Sequence, residues 1–192
     1  MDSSSQAEAV IGAGRSALIG AMFGAGWLGW GLGSAKAFNG FTAPTFGFMA
    51  LLLITGSIYF IRKGRLLRKK CTAVIDSARQ NVRKWFLFIV LMEALAIALV
   101  SILAHRLHRD DLATNWCAMI VGLHFLPLAR IFRAPHLIVR GISITVWCVF
   151  CWAFFRSNAL VISTSLGTGI LLWGSCVFSW FRARKIAQSL CA

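Results

Sequence analysis

Two side chains in this sequence can hold and release a proton in the middle of apolar runs, Glu93 and His124. Residues 85–105 read WFLFIVLMEALAIALVSILAH, with Glu93 near their centre. Residues 112–130 contain Val121-Gly122-Leu123-His124-Phe125-Leu126-Pro127-Leu128-Ala129-Arg130. At about 1.5 Å per residue each run matches the roughly 30 Å hydrocarbon layer of a bilayer. The polar stretch 106–111 between them (Arg-Leu-His-Arg-Asp-Asp) is short, so the two helices are expected to be antiparallel neighbours. Its centre falls between His108 and Arg109, and residues equidistant from it lie at equal depth. Glu93 and His124 are such a pair, roughly 3–5 Å to the Arg130 side of the membrane centre from the helical rise.

An ionised carboxylate at that depth costs several kcal/mol, so Glu93 must be neutral, paired or open to water. An imidazole at the same level supplies a hydrogen-bond donor, or takes the proton. Pro127 removes a backbone donor and opposes the carbonyl of Leu123, which predicts a kink beside His124. Arg15 lies about 9 Å inward of the centre of its span and Arg130 about 13 Å inward of its own. Arg130 can snorkel to the surface. Arg15 needs a partner, and Glu93 is the acid at hand, so Arg15, Glu93 and His124 are expected to form one intramembrane cluster. Two accounts of Glu93 and His124 stand side by side: a proton or ligand site, or a polar lock between two helices.

The elements that must position these residues follow from composition. The chain has 192 residues, 58% of them apolar, with 20 Lys and Arg against 6 Asp and Glu. Its apolar residues come in runs of membrane length, which indicates an all-α polytopic integral membrane bundle. Six transmembrane helices are predicted, over 9–33, 43–62, 85–105, 112–130, 137–156 and 159–181. Both ends then share a side. Placing that side in the cytoplasm puts there Arg15, the basic residues of 62–84, Arg130, Arg133, Arg140, Arg182, Arg184 and Lys185. Lys36, Arg106, Arg109 and Arg156 fall outside. That bias predicts an N-in, C-in orientation and explains the net charge of +14 without nucleic acid.

Residues 1–8 are polar and read as a disordered start, and 9–181 as a single membrane domain. The first span repeats small residues every four positions, at Gly12, Ser16, Gly20 and Gly24, and again at Ala13, Ala17, Ala21 and Ala25. Such stripes admit a close neighbour, whether another helix, a second copy or another membrane protein. Arg15, the run 17–32 and Ser34-Ala35-Lys36-Ala37 loosely match a cleavable leader, but the acidic start and glycine-heavy core speak for a retained span. Pro44 opens the second span harmlessly. Residues 65–84 show helical spacing of apolar residues among many basic ones. They read as an amphipathic helix on the inner face, or as extensions of the neighbouring helices. Anionic lipid is the partner expected along Arg62–Lys84. Residues 182–192 form a basic tail.

Enzymatic machinery is sparse. No Walker loop, HExxH motif or confident nucleophilic triad is present, so no catalytic residue, cofactor or metal is assigned. His105 and His108 stand near Asp110 and Asp111, an exposed polar turn more than a metal site. Cys71, Cys117, Cys148, Cys151, Cys176 and Cys191 do not form a disulfide framework, and Cys148-Val149-Phe150-Cys151 lacks the βαβ setting of a redox motif.

The stretch Gly122-Leu123-His124-Phe125-Leu126-Pro127-Leu128-Ala129-Arg130-Ile131-Phe132 resembles a signature of small uncharacterised bacterial multi-pass membrane proteins. These also carry a glutamate in the preceding span, as Glu93 does, and acids in the turn, as Asp110 and Asp111 do. The resemblance covers roughly residues 85–141. It implies bacterial inner-membrane residence and no mechanism. Three classes of function follow: a small transporter or permease using the Glu/His/Arg cluster, a non-catalytic scaffold or assembly partner gripping helices through the first span, and, last, a lipid-modifying enzyme.

Overall fold

The structure is a computed structural model describing residues 3–69, 78–131 and 134–189. Among these residues the fold is all-α, with no strand. The helices are α1 (Ser3–Ser34), α2 (Thr42–Lys69), α3 (Ala78–Arg106), α4 (Asp110–Ile131), α5 (His136–Phe154) and α6 (Ser157–Ser189). Each is long and apolar enough to cross a membrane. The six expected spans are all present.

The ends of the helices differ from expectation. Residues 3–8, expected to be disordered, are helical, because α1 runs unbroken from Ser3. The basic stretch 62–69 continues α2 and 78–84 opens α3, so the observed arrangement is extension of the neighbours. Residues 70–77, the middle of the suggested amphipathic helix, lie outside the described residues. The basic tail is helical as far as Ser189. α4 continues as helix through Pro127.

Local chemistry explains the stops. Lys36 and His108 both adopt left-handed backbone, φ 51° and 52°. Ala37 N–H donates to Leu32 O at 2.9 Å and Lys36 N–H to Gly33 O at 3.0 Å. Arg109 N–H donates to Ala104 O at 2.9 Å and His108 N–H to His105 O at 3.1 Å. These are Schellman closures, which satisfy the last carbonyls of α1 and α3. Asn39 Oδ1 accepts from Phe41 and Thr42 N–H at 3.0 and 2.8 Å and starts α2. Asp110 and Asp111 sit in the first turn of α4, where the helix dipole favours negative charge.

The chain expected as one domain divides into two compact units. One comprises Met1–Gly26, Phe38–Ile75 and Leu172–Ala192; the other comprises Trp27–Ala37 and Asp76–Leu171. Uniformly apolar composition carries no mark of such a division.

In the first unit, Ala17, Ala21, Leu53 and Cys176 form a buried cluster with Trp173 and Trp180 packed on it. Trp173 Nε1–H donates to Ala21 O at 3.1 Å, and Trp180 Nε1–H to Ser57 Oγ at 3.2 Å. Indole donors thus find acceptors inside an apolar contact. The expected packing stripe is covered unevenly. Gly20 is covered, its missing Cβ 3.3 Å from Leu172 O, and Gly24 is buried, but Gly12 faces open space. Gly14, off the stripe, lies where a Cβ would stand 2.9 Å from Ile61 N. The α1–α2 contact therefore passes through Gly14.

In the second unit, α4 packs between α3 and α5. Asn115 is buried and ties three helices together: its Nδ2 donates to Cys148 O and to Thr164 Oγ1, both at 3.0 Å. An amide buried in an apolar layer has no water to fall back on. Asn115→Leu is expected to lower stability by about 1–2 kcal/mol, read by SDS-titration unfolding in micelles. Asn115→Gln, which keeps the donor, should lose less.

Candidate functional site

Helix α3 presents a single stripe inward. Phe86, Ile89, Glu93, Ala96, Ile97 and Val100 are half-buried at spacings of three and four, and Ala104 is fully buried. Leu87, Phe88, Leu91, Met92, Leu95 and Leu99 are exposed around the rest of the helix. Glu93 is thus the one acid on an apolar seam, and the seam meets α4.

The structure brings Glu93 and His124 together, as their equal distances from the turn require. Oε2 of Glu93 pairs with Nδ1 of His124, and 14% of each side chain is exposed. Nε2 of His124 is also buried, and among the described residues it has no hydrogen-bond partner. One proton on this pair makes it neutral overall, whether carried by the ring or the carboxyl. Removing that proton leaves a negative pair, and adding a second leaves a positive one. In a medium that penalises net charge, the pair is a place to load and unload protons one at a time.

Arg15 lies in the other unit from Glu93 and His124. It is exposed on α1 in the first unit, one residue past Gly14 and so level with Phe60 and Ile61, just where α2 becomes basic at Arg62 and Lys63. At that level a guanidinium can snorkel to the headgroup region. Arg130 is exposed one residue from the end of α4, also as a snorkelling cation would be.

A cation buried on α5, Arg140, packs against Phe125, the residue after His124. It is 6% exposed, and its Cζ stands 5.2 Å from the ring centroid of Phe125. The same ring lies 5.4 Å from that of His124. Charge counting assigns Arg140 to the inner side, yet it stands within the expected fifth span, and that position is the available signal. A second glycine explains how it gets there. A Cβ on Gly141 would stand 2.6 Å from Gly122 O, and one on Gly122 would stand 3.2 Å from Gly141 O. α4 and α5 therefore meet backbone to backbone. Arg140 precedes one contact glycine, and His124 and Phe125 closely follow the other.

The outer turn holds the other expected polar group. His105 Nδ1 lies 3.4 Å from Asp110 Oδ1, and Arg109 Nε donates to Asp111 Oδ1 at 3.1 Å. Among the described residues no three His, Cys, Asp or Glu side chains converge as a metal site would require. His105 and Asp110 are largely exposed, so His105→Ala should change stability by no more than about 0.5 kcal/mol in the same unfolding measurement. Cys117, Cys148, Cys151 and Cys176 are not in disulfides, and the last three are buried; Cys71 and Cys191 lie outside the described residues.

No family model, curated protein or solved structure matches this chain.

Proposed function

We propose that this multi-pass membrane protein is a small proton-coupled transporter or permease with Glu93 and His124 as its proton-carrying centre. The supporting observation is the pairing of a carboxylate and an imidazole on adjacent membrane-length helices, with the second imidazole nitrogen buried and, among the described residues, without a hydrogen-bond partner. Intramembrane ionisable groups are costly and are functional-site candidates by default. The bias of basic residues supports an N-in, C-in orientation in a bacterial inner membrane, with Arg62–Lys84 against anionic headgroups. The open side of α1 around Gly12 is the face offered to a second copy or another membrane protein.

The test is proton movement in vesicles. Purified protein reconstituted in phospholipid vesicles should dissipate an imposed pH gradient, followed by an internal pH-sensitive dye. Glu93→Gln should slow that flux by at least about tenfold, a typical loss for a positioned proton-transfer group. Wild-type rates in Glu93→Gln, or no protein-dependent flux at all, end the transport reading.

A second reading is favoured by the position of Glu93 in the contact seam of α3. There the pair acts as a polar lock that holds α3 to α4, in a membrane scaffold or assembly partner. Under that reading the Glu93→Gln protein co-purifies less well with its membrane partner, and no proton moves in either form.

A further inference from the structure

Helices α4, α5 and α6 enclose a second polar patch, within the second unit. Cys148 and Cys151 of α5, Thr164 and Thr168 of α6 and Asn115 of α4 are all buried in it. A spacing of three puts the two thiols on one face of α5, with Cβ atoms about 5–6 Å apart. That face meets both neighbours. Asn115 Nδ2 donates to Cys148 O and to Thr164 Oγ1, and Cys151 shares a buried cluster with Leu112 and Leu160. Two hydroxyls, one helical turn apart on α6, face the thiols: Thr168 toward Cys148 and Thr164 toward Cys151.

Packing explains part of this patch. A buried cysteine by itself behaves as a small apolar residue. Thr164 is held by Asn115. Thr168 is different: it is fully buried, and among the described residues its Oγ1 has no hydrogen-bond partner. A helical hydroxyl can turn back to the carbonyl four residues earlier, as Thr145 does to Gly141 O and Ser179 to Ser175 O. Thr168 is turned toward a thiol instead. A polar atom left over in an apolar layer calls for a reason, and a bound ion is one.

We infer that Cys148 and Cys151 together hold a soft metal ion that takes two sulfur ligands in line, Cu(I) by its chemistry, with Thr164 and Thr168 as positioning residues for the sulfurs. The site is independent of the proton reading of Glu93 and His124. Thiolate sulfur selects Cu(I), Zn(II) and iron–sulfur clusters. Zinc and the clusters ask for four ligands, and among the described residues no three His, Cys, Asp or Glu side chains converge. Cu(I) is satisfied by two. It needs no cavity, because it lies between the sulfurs in place of their two hydrogens. Binding breaks two S–H bonds and forms two Cu–S bonds; both protons pass to water, and no electron is transferred. The product carries one negative charge, which hydroxyl hydrogens turned to the sulfurs offset, as outer-shell donors do at other metal sites. Cys151 stands three residues before the end of α5 at Phe154, about 5 Å by helical rise. The ion therefore enters near the α5–α6 turn and not across the middle of the bilayer.

The test uses the purified full-length chain in detergent micelles, loaded anaerobically with Cu(I) in excess ascorbate and then challenged with the chelator bathocuproine disulfonate. Wild type should retain one Cu(I) per chain, and X-ray absorption should show a shell of two sulfurs without nitrogen. Cys148→Ser and Cys151→Ser should each lose the bound ion, whereas Cys117→Ser should keep it. Thr168→Val should weaken retention about 10–100-fold, the usual cost of removing an outer-shell partner. Thr168→Ser, which keeps the hydroxyl, should restore it. The sulfur shell is read on wild type, so it decides the matter even where a cysteine variant fails to fold.

The site is overturned if wild type yields its Cu(I) to the chelator, if the shell holds one sulfur or includes nitrogen, or if both cysteine variants retain the ion as wild type does. Retention unchanged in Thr168→Val overturns the role given to the hydroxyls. Proton flux, present or absent, bears on Glu93 and His124 alone.

Discussion

Gly141→Leu is expected to be among the most damaging single substitutions in the described part of the chain, with loss of the folded protein or a drop of at least about 3 kcal/mol in unfolding free energy. The missing Cβ of Gly141 lies 2.6 Å from Gly122 O and 3.2 Å from Phe125 Cβ, so the obstacle is largely backbone. Backbone cannot swing aside as a flexible side chain does. The helices must separate, and the contacts along α4 and α5 must loosen together. Overpacking by small increments already costs about 1–3 kcal/mol in well-packed interiors, and a leucine adds far more than one increment. Membrane helices depend on such close approach because apolar side chains gain little by leaving lipid for protein. Gly141→Ala should fall between leucine and wild type. The control is Gly12→Leu: nothing stands within 4 Å of its Cβ position, and its unfolding free energy should stay within about 0.5 kcal/mol of wild type. SDS-titration unfolding in micelles, with yield of monodisperse protein beside it, ranks the three. Equal damage at Gly12 and Gly141 would show that composition of the helices, and not the α4–α5 crossing, sets their tolerance.

That contrast also marks what sequence periodicity conveys. Repeats of small residues along the first span announce that some face of α1 is closely approached. They do not say which face is covered: Gly12 and Gly20 share a stripe, yet one is open and the other is packed, while Gly14 off the stripe carries the contact to Ile61. The meeting of Glu93 and His124 was legible because a fixed rise per residue and a short polar turn leave little freedom in depth. The expected depth of Arg15 is measured from the limits of an apolar run, whereas α1 extends to Ser3 and packs in register with Ile61. Arg140 was passed over because the rule that orients a membrane protein counts every basic residue near a span end as a loop charge, and a buried arginine near such an end looks the same. Asn115 lacked any periodic or charge signal; its importance lies in long-range partners on α5 and α6. The division into two units is likewise a matter of contacts between distant segments, which apolar composition does not encode.

Glu93→Leu and His124→Leu, made singly and together, should separate the lock from the proton site. Either single change leaves one polar member of the pair facing an apolar seam. Stranding a buried partner costs up to about 3–5 kcal/mol, whereas replacing both members of such a pair by apolar residues is often neutral or stabilising. Each single mutant is therefore expected to lose about 2 kcal/mol or more in micellar unfolding, and the double mutant should recover at least half of the larger loss. That recovery has a structural basis. Phe86, Ile89, Ala96, Ile97 and Val100 already make the α3 stripe apolar, and Leu at 93 would extend it. Proton flux in vesicles should stay abolished in the double mutant, since neither remaining leucine can take a proton. Stability regained without flux means that the pair is held in the membrane for its protons, because a plain apolar contact would hold the helices as well. Stability regained with flux intact would place the proton path elsewhere and leave Glu93 and His124 as a lock. Additive losses without recovery would mean that each side chain is bound to something other than its partner, against the geometry that joins Oε2 to Nδ1.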